Sequence, residues 1–178
     1  MGRGRDTALT PRWAYPAALL ITLSLPIGVA VASCVSPAER EAKMVRHVQT
    51  ELMVGALQCR GSRDAGQRAL YDRFVTQHRT ALREQADVLR AYFERRHGKA
   101  SKAALDSHVT GLANRISSAS RSVDDFCQRI ADYAKDVVGE APARLAEAAL
   151  RAPVPYVADE PLCRVGTAVN AAPKPPGR

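Results

Sequence analysis

Of the side chains able to do chemistry, this chain carries four cysteines and four histidines, few enough to weigh one at a time. Glu94-x-x-His97 copies half of the carboxylate–histidine pattern that di-metal helical bundles use, which needs two such motifs and two further inward glutamates. No second copy follows it, so no metal and no cofactor is expected. Cys-x-x-Cys-His for haem, paired Cys-x-x-Cys for zinc, a glycine-rich phosphate loop and a Gly-x-Ser-x-Gly elbow are all missing from the sequence. Met44 and Met53 read as core residues before copper ligands, and His78 as a hydrogen-bonded core histidine. Arg68–Asp72, Arg83–Asp87 and Arg90–Glu94 are spaced i to i+4, which describes a solvated, charge-paired helix face. Nothing in this inventory assembles a catalyst, so no enzyme is expected.

The elements that must position these residues are helical. Ser36-Pro37-Ala38-Glu39 reads as a helix start: a serine cap, a proline suited to the first position, and a glutamate where a capping box needs it. A first helix then follows Val45, Val48, Leu52, Ala56 and Cys59 to a stop at Gly61. A second begins near Asp64 and follows Tyr71, Phe74, His78, Leu82, Gln85, Leu89 and Tyr92 to His97-Gly98. A third spans about Ser101 to Val138, with an unbroken apolar row from Leu105 through Leu112, Ile116 and Ile130 to Val137. That row makes the third helix the expected centre of packing. Short connections force antiparallel neighbours. The expectation is an all-α, up-down-up long three-helix bundle over 34–151, closed by a short fourth helix from Pro142 to Arg151. Residues 152–178 hold most of the later prolines and are expected to be an extended or disordered tail.

This geometry brings two cysteines together. Cys59 lies near the top of the first helix, and Cys127 falls within roughly 10 Å of it in height, at 1.5 Å per residue. A Cys59–Cys127 disulfide is favoured over two buried free thiols. Cys163 lies in the tail, which is long enough to reach the base of the first helix.

The formal charge is +8 and arginine dominates it. Arg3, Arg5 and Arg12 against Asp6 supply +2, leaving +6 from residue 34 onward. Anionic head groups are therefore accessible partners. No aromatic residues interleave the basic face around Arg79 and Arg90, so no nucleic acid is expected. The arginines at residues 1–12 precede an uncharged, mostly apolar stretch with a small-residue exit, the plan of a secretory signal over 1–33. Ala30-Val31-Ala32 offers a cut that would leave a soluble protein beginning at Ser33.

Val31-Ala32-Ser33-Cys34 also resembles the bacterial lipoprotein box. That resemblance implies lipidation at Cys34 and a membrane-anchored protein facing the periplasm. If Cys34 instead keeps its thiol, a Cys34–Cys163 bond would fasten the tail; cysteine parity favours that pairing and the box favours lipidation, and the expectation follows the box. From "VGALQCR" through "LRAYFERRHG" to "VDDFCQRIADY" the chain resembles a small family of secreted alphaproteobacterial helical proteins. The resemblance implies export and an all-helical domain, and supplies no substrate. Two functions fit: a non-catalytic bacterial envelope protein, adaptor or assembly factor, whose protein partner is unknown, or an envelope enzyme or small-ligand carrier whose site only the fold assembles.

Overall fold

The computed structural model of the protein describes residues 34–59 and 66–163. The secretory signal, the stop at Gly61, the start near Asp64 and the residues after 163 lie outside the described residues. The described chain is all-α, with α1 (Pro37–Gln58), α2 (Gln67–Gln77), α3 (Arg79–His97), α4 (Ser101–Ala119), α5 (Phe126–Val138) and α6 (Leu145–Ala148). Short 3₁₀ turns cover Gly98–Ala100, Ser120–Ser122 and Pro142–Arg144. None of the described helices is long and apolar enough to cross a membrane.

The capping box at the start of α1 is present in both directions. Glu39 N–H donates to Ser36 Oγ at 3.3 Å, and Ser36 N–H donates to Glu39 Oε2 at 2.9 Å. Pro37 takes the first turn, where its missing N–H costs nothing. The second and third helices differ from expectation, because each is broken. The break between α2 and α3 is a local bend at His78, crossed by hydrogen bonds from His78 N to Phe74 O and from Leu82 N to His78 O. The break between α4 and α5 is complete. Val123 is extended and Asp125 adopts φ +51°, a left-handed conformation that Asp tolerates better than most residues. The polar run Ser120-Arg121-Ser122 and the two aspartates offer local side-chain hydrogen bonds that compete with a helix. The apolar row nevertheless resumes in register after the break, with Phe126, Ile130, Tyr133 and Val137 all buried.

The centre of packing is α1 rather than the third expected helix. It meets α2, α3, α4, α5 and α6, and its seam residues Val45, Val48, Leu52, Ala56 and Cys59 are all buried. The main core gathers Val45, Val48, Leu52 and Cys59 with Phe74, Leu82, Ile130, Val137 and Leu145. A second cluster joins Val35 and Ala42 to Leu89, Tyr92 and Phe93, and a third joins Val54 to Leu112 and Ile116. Helix α2 is also tied to α5 by side chain to backbone bonds, Gln67 Nε2 to Cys127 O and Gln77 Nε2 to Val138 O. Helices α1 and α5 pack closely at Gly55. A Cβ there would lie 2.6 Å from Ile130 Cγ1, and Ile130 is fully buried with nowhere to move. Gly55→Ala should therefore cost about 1–3 kcal/mol through overpacking, although alanine is the better helix former by about 1 kcal/mol. Urea unfolding checks this, with Ile130→Ala expected to cost less in the Gly55→Ala background than alone.

The bundle does not end at Arg151. From Ala152 to Cys163 the chain leaves helical structure and runs back along α1 as a strap. Val35 and Leu162 form an isolated parallel bridge, with Val35 N–H donating to Pro161 O and Cys163 N–H to Val35 O. The boundary expected at residue 151 thus falls inside packed structure, and the residues expected to be extended or disordered are fastened up to Cys163.

Candidate functional site: a buried polar stripe and the cleft under the strap

Helix α1 carries a second face beside its apolar seam. Glu39, Lys43, His47 and Glu51 recur every four residues, so they stack along one side of the helix. All four are buried, Glu51 completely. Buried charges are costly unless paired, and the strap supplies most of the partners. Lys43 Nζ donates to Glu160 Oε2 at 2.6 Å and to Asp159 Oδ1 at 3.0 Å. The Tyr92 hydroxyl donates to the same Glu160 oxygen at 2.6 Å, and Arg96 lies 3.0 Å from Glu160 Oε1. Arg40 Nη2 donates to the Glu160 carbonyl at 2.6 Å. Glu39 pairs with Arg95 of α3 at 2.6 Å. Further along, Val154 N–H donates to Glu51 Oε1 and His47 Nε2 meets Val154 O, each at 2.7 Å. A carbonyl only accepts, so His47 Nε2 carries its proton. Glu51 Oε2 lies 3.3 Å from His47 Nε2 and accepts no hydrogen bond among the described residues.

The titration behaviour follows from this packing. Burial works to lower the Lys43 pKa, but its bonds to Glu160 and Asp159 outweigh burial and raise it. Burial works to raise Glu160 and Asp159, and the same bonds, with Tyr92 adding to Glu160, bring both below the ordinary carboxylate range. Tyr92 is pushed up to about 12, by burial first and then by its bond to Glu160. The ammonium of Lys43 also sits 4.9 Å from the centroid of the Tyr92 ring, and the Arg96 guanidinium 5.3 Å from it.

Between the strap, α1 and α4 lies a cleft of about 480 Å³. Its floor is apolar, from Leu112, Ile116 and Ala119 of α4 and Val154 and Pro155 of the strap. Lys43, His47, His108, Arg115 and Asp159 stand around it. Burial lowers the His108 pKa, and the neighbouring Lys43, Arg115 and Arg46 lower it further against the opposing pull of Asp159.

The cysteines are all bonded. Cys59 is joined to Cys127, and Cys34 to Cys163 with their Cα atoms 4.9 Å apart. Lipidation at Cys34 needs the same sulfur as a thioether, so the structure puts that sulfur to a different use. Disulfides of this kind are compatible with an exported protein. His78 is buried as expected, but neither ring nitrogen has a hydrogen-bond partner among the described residues. No group of histidine, cysteine, aspartate and glutamate among the described residues is arranged to hold a metal ion. His97 instead stacks on Phe93 with ring centroids 5.6 Å apart, and Met44 packs against the main core.

Sequence reasoning missed the polar stripe and the strap. The signal was there in the spacing, since four polar residues at i, i+4, i+8 and i+12 beside an apolar seam mark a second contact face. Compared with family models, curated proteins and solved structures, the chain matches none.

Proposed function

We propose that the chain is a non-catalytic, exported module of the bacterial envelope that acts by binding. One observation carries the reading: the buried acids and bases, which elsewhere would be candidate catalysts, are engaged in fastening the strap. Lys43, Tyr92 and Glu160 spend their bonding capacity on it, and Glu51 commits one of its two carboxylate oxygens to the Val154 N–H. Export is supported by the two disulfides, by the charge pattern of residues 1–33, and by the resemblance to secreted helical proteins. The bonded Cys34 favours a soluble periplasmic form cut after Ala32 over a lipid-anchored one. An up-down-up arrangement, with α2–α3 and α4–α5 each serving as one bent leg beside α1, belongs to the same reading and is supported by the contacts of α1 with both.

The test is the intact mass of protein expressed from the full gene in a bacterial host and recovered from its envelope fractions. The expected species begins at Ser33 and lacks the hydrogens lost in forming both disulfides. A species beginning at Cys34 with the added mass of acyl chains would overturn the soluble form. Full-length protein retained in the cytoplasm would overturn export.

A further inference from the structure

The cleft under the strap joins an apolar floor to an unmatched positive charge. Lys43 on its rim is already neutralised by Asp159 and Glu160. Arg115 is exposed and makes no ion pair among the described residues. Beside it, His108 has no hydrogen-bond partner among the described residues and faces Phe93 at 5.3 Å between centroids. The charged groups around His108 are Lys43 and Arg46 on α1, Arg115 on α4 and Asp159 on the strap, a cationic surplus. Below this rim, the side chains of Leu112, Ile116, Ala119 and Val154 are all apolar. At about 480 Å³ the space is within the size range of small-ligand pockets.

We infer that this cleft binds a small amphiphile bearing one anionic group, with its carboxylate or phosphate at Arg115 and His108 and its apolar chain along α4 beneath the strap. Charge complementarity selects the head, because an anion there meets the Arg115 guanidinium, which has no ion-pair partner among the described residues, and offsets the cations crowding His108. The apolar floor selects the body, which would remove both itself and the half-buried carbon of Ala119 and Val154 from water. Glycans and nucleotides suit the floor poorly, since its side chains are apolar and cannot answer their polar atoms. The inference rests on the proposed binding role and names the ligand class for it.

Isothermal titration of the oxidised, exported protein tests it, with decanoate and decyl phosphate as anionic probes and decylammonium as the matched cation. One molecule of decanoate, decyl phosphate or both should bind per chain, and decylammonium should not; which anion binds tells a fatty-acid source from a phospholipid-derived one. Arg115→Glu, an exposed change, should weaken binding at least about tenfold without moving the thermal melt. Ala119→Trp, which fills the floor, should abolish it. No heat with either anion, equal binding of decylammonium, or full affinity in Arg115→Glu would each overturn the inference and leave the non-catalytic reading standing. Decanoate or decyl phosphate recovered chemically altered would instead overturn that reading while keeping the site.

Discussion

Glu160→Ala should destabilise the folded protein by about 3 kcal/mol, the cost expected when a buried ion pair loses one partner and the other charge stays behind. Lys43 is only 4% exposed and cannot turn to water. The same change would strip Tyr92 of its acceptor and Arg96 of its carboxylate. Asp159→Asn is the control. Asp159 is 52% exposed, so its removal should cost about 1 kcal/mol or less. Denaturant unfolding of the two variants should separate them clearly. Equal losses would mean that Glu160 does not hold the strap. The pH dependence has a definite sign. Both carboxylates have folded pKa values below their unfolded ones, so their contribution is present above the unfolded values, about pH 4, and lost as pH falls through the folded values. The Lys43 pKa is raised on folding, so its contribution is present below its unfolded value and lost only as alkaline pH rises through the folded one. Stability from this cluster should be flat between about pH 5 and 9 and fall in acid, and Glu160→Ala should blunt the acid fall.

Replacing Cys34 and Cys163 together by serine should cost about 2–5 kcal/mol, since the bond closes a loop spanning 129 residues. The loss should also be local in a way that a general loosening would not be. Amide exchange at Val154, Tyr156 and Cys163, whose N–H groups donate to Glu51, Ala149 and Val35, should speed up most. Exchange in the α1 and α5 core around Val48 and Ile130 should change only by the drop in global stability. Opening Cys59–Cys127 gives the contrasting pattern, because it joins the end of α1 to the first turn of α5 inside the main core. If both pairs of serine variants speed exchange alike across the chain, the strap is not a separately fastened element.

How far the sequence could be read depends on the distance over which each signal acts. The seam of α1 was legible because a 3.6-residue period repeats locally, and each of its residues is buried. The capping box was legible for the same reason, involving only Ser36 and Glu39. The breaks at His78 and at Ser120–Asp125 were not, because the apolar rows continue across them and periodicity does not register a change of axis. Lys43 could not be matched with Glu160, since 117 residues separate them and no local rule pairs a helix lysine with an acid in a proline-rich run. The cleft was hidden for a similar reason, as one wall comes from residues that look like a tail.

Joining Cys34 to Cys163 also has a mechanical meaning. Cys34 and Cys163, the first and last of the described residues, have their Cα atoms 4.9 Å apart. A pull applied through the polypeptide on either side is therefore borne by a covalent bond and passes the helices by. A single nick by a protease anywhere between those cysteines leaves one covalent molecule, still closed at its neck. The helices are cargo on a ring rather than links in a line.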